Sequence, residues 1–252
     1  MKLSRAEIKL QKQVQELIES DRNLTFEELE FIYENFNPGY ISDVTIHSAY
    51  FTPLDMAYDF ALFAGKSGIM VDMCAGIGVL SFAAKTRDTY DGNIKQQICI
   101  ERNPEYMKIG KRLLPSAHWI EGDIFDKSLW DSIITKYGNI DCIVSNPPFG
   151  KVSKTDIDRS WLDYKGADID IASIEISLKH TDNVSMILPV NSCTFRYSGR
   201  QYFEEVENKK IEKLKKETGL SFYMSNPGID TSVYDQFKNT KVIVEHVDFI
   251  IE

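Results

Sequence analysis

No apolar run among the 252 residues approaches the twenty or so needed to cross a bilayer. The opening residues, Met1-Lys2-Leu3-Ser4-Arg5, lead into a charged helical pattern instead of the apolar core of a signal peptide, so the expectation is a cytoplasmic protein without a membrane partner. Cysteine is sparse. Cys74, Cys99, Cys142 and Cys193 stand far apart with no Cys-x-x-Cys pair, and His47, His118, His180 and His246 form no His-x-x-x-His or His-x-x-Cys cluster. Neither a disulfide framework nor a bound metal is expected, and the thiols read as reduced and packed. Excess positive charge is missing too, since 29 Lys and Arg stand against 38 Asp and Glu, a net charge of -9. Polyanions are bound largely by Lys and Arg that release condensed counterions, so this balance argues against a nucleic-acid partner unless the basic residues are segregated. Lys151, Lys154, Arg159 and Lys165, then Arg196, Arg200 and the lysines of 209–216, offer such a side. The run 209–216 fits a solvated helix face equally well.

What is present is ordinary for a globular protein: 43% hydrophobic and 27% charged residues, in a chain long enough for one large α/β domain or a domain with a helical extension. Ile8, Val14, Leu17 and Ile18 space a weak amphipathic helix over 3–20. Thr25 with Glu28 three residues on makes a capping box that opens a second helix, which Asn37-Pro38-Gly39 ends. The expected division is a helical extension over 1–48 and a main domain over 49–252. From Ile69 onward, strand and helix patterns alternate, which implies a mostly parallel sheet with helices on both faces.

Two stretches carry chemistry. In Gly68-Ile69-Met70-Val71-Asp72-Met73-Cys74-Ala75-Gly76-Ile77-Gly78 an apolar strand ends in an acid and a glycine-rich turn, followed by a helix from Val79. The glycines let a backbone pass close to a ligand, and the helix start offers N–H groups. There is no glycine at Cys74, so the turn departs from the dinucleotide pattern. In Val144-Ser145-Asn146-Pro147-Pro148-Phe149-Gly150 a buried strand over 140–144 opens into a crevice at Asn146. The prolines lack amide protons and fix φ, which leaves a rigid row of acceptors followed by an aromatic ring. A planar ring amine donates well to the Asn146 oxygen and the Pro147 carbonyl while Phe149 stacks on the ring. A Pro-Pro turn that merely ends the strand is the alternative.

Asn146-Pro147-Pro148-Phe149 resembles the catalytic tetrapeptide of S-adenosylmethionine-dependent amino-methyltransferases, which act on adenine N6 in DNA and RNA or, with Tyr in the last place, on glutamine amides. The turn after Asp72 is similar to their cofactor loop, and Tyr50-Phe51-Thr52-Pro53 resembles the Phe-Thr-Pro element of one class of DNA adenine methyltransferases, although Thr52 and Pro53 also suit a helix start. The resemblance spans 50–189. It implies a class I, Rossmann-like α/β methyltransferase fold with a seven-stranded sheet in the order 3-2-1-4-5-7-6, the last strand antiparallel. S-adenosylmethionine would lie on Tyr50, Thr52, Asp72, Ala75, Gly76 and Gly78. Glu101 would take the ribose hydroxyls and Asp123 would accept from the adenine amino group, with Arg102, Ile124 and Asn146 also at the cofactor. Phe149, Lys151, Lys154, Arg159 and Lys165 would meet the substrate.

The remaining expectations are a long polar loop over 151–166, a helix over 167–180, a strand over 184–189, a helix over 200–218 and a final strand over 241–251. The leading functional expectation is methylation of adenine N6 in nucleic acid, DNA favoured, in a short or relaxed sequence context, because few residues are left over for a recognition domain. RNA of the ribosomal type, a protein glutamine amide, and a non-catalytic cofactor-binding module are the alternatives.

Overall fold

The structure is a computed structural model that describes residues 5–38, 51–65, 67–88, 92–151, 158–234 and 242–252. Two helices come first, α1 (Arg5–Glu19) and α2 (Phe26–Asn35). The Thr25 hydroxyl accepts from Glu28 N while the Glu28 carboxylate accepts from Thr25 N, so the expected capping box is formed and sets the start of α2. Helix α3 (Leu54–Phe63) follows, then β1 (Gly68–Met73), α4 (Val79–Asp88), β2 (Ile94–Glu101), α5 (Pro104–Leu113), β3 (His118–Glu121), α6 (Lys127–Tyr137) and β4 (Cys142–Ser145). The second half holds α7 (Ile169–Leu178), β5 (Val184–Pro189), a short pair β6 (Phe195–Arg196) and β7 (Glu204–Glu205), α8 (Lys209–Thr218), β8 (Phe222–Ser225) and β9 (Val244–Ile251).

Seven strands form one sheet in the order β3-β2-β1-β4-β5-β9-β8, with β9 antiparallel to both neighbours and the others parallel. Setting the β6–β7 pair aside, this is the order 3-2-1-4-5-7-6 that the resemblance implies. The period-two alternation of β1 explains the layering. Val71 and Met73 pack with α6, α7 and α8 on one face, whereas Met70 packs with α1 to α4 on the other. Pairing of Met73 with Ser145 and with Ile100 aligns the carboxyl ends of β4, β1 and β2, which is where a parallel sheet opens a crevice.

Two segments differ from expectation. Residues 200–208 are not helical: Glu245, wholly buried on β9, accepts from Tyr197 N at 2.8 Å, Ser198 N at 3.0 Å and Ser198 Oγ at 2.7 Å. Gly199 turns there with φ 70°, Phe203 stacks on Phe195, and the helix begins only where Asn208 caps Lys210 N. The described part of 151–166 is no open polar loop either. Leu162 and Tyr164 are buried in the core, and Glu175 of α7 accepts from Asp163 N and Tyr164 N. This covering layer explains why α7 is buried over 170–178 despite carrying Asp170 and Glu175.

Helices α1 and α2 belong to the same packed layer as α4. Val14, Ile32, Tyr33 and Phe36 sit in one cluster with Leu80 and Phe82, and the Phe82 ring stacks on Phe26 and Tyr33. Arg112 of α5 donates to the Ser20 carbonyl at 2.8 Å and ties down the connection between α1 and α2.

Candidate functional site

The site is built from the ends of β1, β2, β3 and β4. After β1 the backbone turns through Cys74 at φ 68°, Gly76 at φ 60° and Gly78 at φ 91°. Cys74 therefore adopts the left-handed conformation that glycine occupies at no steric cost, although it carries a Cβ. A Cβ at Gly76 would lie 3.0 Å from the Phe51 ring, and one at Gly78 would lie 3.0 Å from Trp119. The loop is thus a cradle whose close approach depends on the missing side chains.

Its N–H groups are largely committed to the protein. Ala75 N donates to Ile100 O, Gly76 N to Glu101 Oε2 at 2.7 Å and Gly78 N to Ala75 O. Glu101, at the end of β2, also accepts from Asn103 N at 2.7 Å, which links the glycine loop to the cap of α5. Burial raises the Glu101 pKa against the pull of these N–H bonds. A ribose diol brought to this carboxylate, as the resemblance implies, would compete for or share its lone pairs.

Asp72 is placed differently from a simple ligand. It is 1% exposed, and one oxygen accepts from Ser81 N at 3.1 Å and Ser81 Oγ at 2.8 Å, so it braces the first turn of α4. Its other oxygen, Oδ1, has no hydrogen-bond partner among the described residues. Burial pushes the pKa up to about 7, opposed by the Ser81 bonds and assisted by Glu101. A buried carboxylate with one orphaned oxygen fits a cationic, hydrogen-donating group brought to the loop, which the amino group of S-adenosylmethionine would supply.

At the end of β3, Asp123 accepts from Phe125 N at 3.0 Å and meets Arg102 at 3.2 Å, in a pair that is open to water on the Arg102 side. Ile124 is buried, and its carbonyl accepts from Trp130 Nε1. Arg102, Asp123 and Ile124 are brought together beside Glu101 by the β2–β3 pairing, in which Glu101 lies opposite Glu121.

At the end of β4, Ser145 donates its hydroxyl to the Met73 carbonyl and fastens this strand to β1. Asn146 follows, and its Nδ2 donates to Thr52 Oγ1 at 2.9 Å. Thr52 does not cap α3; Pro53 occupies that position with no side-chain cap bond. Pro147 is buried, Pro148 and Phe149 are partly buried, and Phe149 packs against the cluster that holds α2 to α4. Lys151 is exposed, and its backbone bridges Asp168. Tyr50 and Lys154 lie outside the described residues. The other basic residues expected at the substrate side make contacts within the fold, although Arg159 Nε and Nη2 have no hydrogen-bond partner among the described residues. Arg159 lies over the Phe125 ring at 4.6 Å, and Lys165 donates to Leu162 O through Nζ and to Glu217 through its backbone N–H. Lys210 pairs with Asp168 and Lys213 with Glu217, so much of the α8 charge is balanced on the spot.

Sequence reasoning missed an aromatic roof over the glycine loop. Phe51 meets Phe36 at 5.5 Å and Tyr106 at 5.1 Å, and Tyr33 donates to the Ile77 carbonyl at 3.4 Å. Four aromatic residues from three separated stretches carry no common spacing, so no pattern announces them. A cleft of about 450 Å³ between the β6–β7 pair and β8, lined by Phe203, Glu205, Lys215 and Tyr223 among others, includes none of the loop or Asn146 residues. Among the described residues no group of three or more His, Cys, Asp or Glu could hold a metal ion, and no helix is long and apolar enough to cross a membrane.

A family model described as RNA cap guanine-N2 methyltransferase matches residues 67–227. No curated protein matches the sequence. Among solved structures, the methyltransferase subunit of a type I restriction-modification system from Streptococcus thermophilus is similar with a TM-score of 0.54 and 16% identity over 81% of this chain. The present chain spans 45% of that subunit's length. A protein from Listeria monocytogenes, provisionally assigned to the class I S-adenosylmethionine-dependent methyltransferases, is similar with a TM-score of 0.60 and 12% identity, over 99% of this chain and 81% of the other. At these identities the two likenesses speak for the fold alone.

Proposed function

Because the chain belongs to the RNA cap guanine-N2 methyltransferase family of class I S-adenosylmethionine-dependent enzymes, we propose that it methylates an exocyclic amino nitrogen of a purine base in nucleic acid. The observation that carries the proposal is Asn146 at the mouth of β4, with its amide tied to Thr52 and two prolines behind it. Bound S-adenosylmethionine supplies an electrophilic methyl group on a sulfonium. In this reading the side chains of the protein do the rest by position. The Asn146 Oδ1 and the Pro147 carbonyl accept the two amine hydrogens, which pyramidalises the nitrogen and turns its lone pair toward the methyl, while Phe149 stacks on the base. As the N–C bond formed, the S–C bond would break to leave S-adenosylhomocysteine, and the extra amine proton would pass to solvent because an amide cannot take it, so rate enhancement rests on orientation and on stabilising the positive charge that develops on nitrogen.

Adenine N6 and guanine N2 are both planar amines with two N–H donors, so the acceptor row suits either. Phe149 in the tetrapeptide favours adenine N6, and the family match favours guanine N2 of RNA. A base in a duplex would first have to leave the stack, which costs least in single-stranded nucleic acid. Cofactor labelled in the methyl group, incubated with capped RNA, uncapped RNA and DNA and followed by digestion to nucleosides, separates the possibilities. N2-methylguanosine or N6-methyladenosine is the expected product, and Asn146→Ala lowers its formation by about 100-fold or more. Label found only in protein would overturn the nucleic-acid reading, and wild-type turnover by Asn146→Ala would overturn the role of the amide.

A further inference from the structure

We infer that Thr52 is a positioning residue for the Asn146 amide and not a ligand of the cofactor. The inference rests on the reading above, in which Asn146 meets the substrate amine, and extends it to a residue 94 positions away in sequence. Three observations carry it. First, Thr52 Oγ1 accepts from Asn146 Nδ2 at 2.9 Å, and Thr52 is 4% exposed. A bond of this kind holds the carboxamide by one edge, which leaves the opposite edge, bearing Oδ1, as the acceptor edge. Rotation of the amide by half a turn would set its NH₂ against the NH₂ of a substrate, a contact between donors only.

Second, the hydroxyl is not consumed where a threonine before Pro53 would ordinarily be consumed. Helix α3 starts at Leu54 with Pro53 at its cap and no side-chain cap bond. Third, Thr52 is itself held from both sides. Phe51 is wedged against Gly76, Phe36 and Tyr106, and the Pro53 carbonyl accepts from Ala57 N at 2.9 Å. A β-branched side chain between two such anchors has little χ1 freedom. The same short segment thus touches the cofactor loop through Phe51 and the tetrapeptide through Thr52, so the two halves of the site are held in register by one piece of chain.

The variants Thr52→Val, which keeps shape and loses the hydroxyl, and Thr52→Ser, which keeps the hydroxyl, test the inference. Thr52→Val is expected to lower kcat about 10-fold, the scale of one lost neutral hydrogen bond, on whichever nucleic acid accepts the methyl group. Affinity for S-adenosylhomocysteine by calorimetry stays within about twofold, and Thr52→Ser restores kcat to within a small factor. A readout that needs no substrate is the Asn146 side-chain NH₂ pair in ¹⁵N-labelled protein, assigned by its loss in Asn146→Asp. Its hydrogen exchange is slow in the wild type and in Thr52→Ser, and fast in Thr52→Val. Wild-type kcat and unchanged exchange in Thr52→Val would overturn the inference, as would a weakened cofactor affinity with kcat intact, which would make Thr52 a cofactor ligand. If Asn146→Ala retains full turnover the underlying reading fails; if Asn146→Ala is inactive and Thr52→Val is not, only the present inference fails.

Discussion

Replacing Asp72 by Asn should change how stability depends on pH, and the structure sets the direction. Asp72 is 1% exposed, and its pKa is raised from 3.8 to about 7, chiefly by burial. A carboxyl whose folded pKa is raised binds its proton more tightly in the native state than in the unfolded chain. Its contribution is therefore fully present below about pH 4, declines as pH rises through about 7, and is constant above that. A rise of that size corresponds to about 4 kcal/mol, an upper bound because a charged Asp72 would draw in water or reorient, so a difference of roughly 2–4 kcal/mol is expected. Asn in the same place accepts from Ser81 N and Oγ as Asp does and never ionises. His180 has its pKa lowered by burial to about 4, which makes stability rise with pH between 4 and 6.5 and partly hides the slope from Asp72. The useful quantity is accordingly the difference between Asp72→Asn and wild type at each pH, from urea unfolding at intervals between pH 4.5 and 8.5. The variant should gain on the wild type from pH 4.5 to about 7 and the difference should level off above that. Parallel curves would refute the argument, because they would mean that Asp72 ionises with its ordinary pKa despite its burial. Bound S-adenosylmethionine should reverse part of the trend if its amino group meets Oδ1, because a cation there favours the charged form, so affinity in the wild type should tighten as pH rises from 6 to 8 and that of Asp72→Asn should not.

Glu101→Ala should weaken S-adenosylhomocysteine binding by roughly 1.5–3 kcal/mol, measured by calorimetry, and should also lower thermal stability, because the carboxylate holds Gly76 N and Asn103 N. Unchanged affinity would mean that the ribose is held elsewhere. Cys74→Gly should raise the melting temperature by about 2–4 °C for a gain near 1 kcal/mol, since Cys74 sits at φ 68°; Cys74→Ala keeps the Cβ and should show no such gain. Gly110→Ala should destabilise by about 1–3 kcal/mol in denaturant unfolding, since the new Cβ would fall 2.0 Å from the Trp119 ring; a neutral result would mean that Trp119 is free to move aside.

Much of the molecule was legible in the chain. The alternation of strand and helix from Ile69, the capping box at Thr25 and Glu28, the acids at the ends of β1 and β2, and the strand that delivers Asn146 all follow from periodicity and turn chemistry, which act over a few residues. The strand order came from resemblance, since several orders satisfy the same alternation. Tertiary structure decided the rest. Residues 200–208 carry no helix breaker, yet a buried carboxylate on β9, 47 positions from Ser198, holds the preceding turn and postpones α8. Lys165 and Arg159 look like a substrate patch in sequence, and the structure shows Lys165 meeting Leu162 and Arg159 lying over Phe125 in the segment that covers α7. Asp72 turned out to brace Ser81, Glu101 to hold the glycine loop, and Thr52 to meet Asn146 instead of capping a helix. The Thr52–Asn146 pair joins side chains 94 positions apart and the Glu101–Gly76 bond spans 25, both made by packing, so local pattern leaves no trace of the partner.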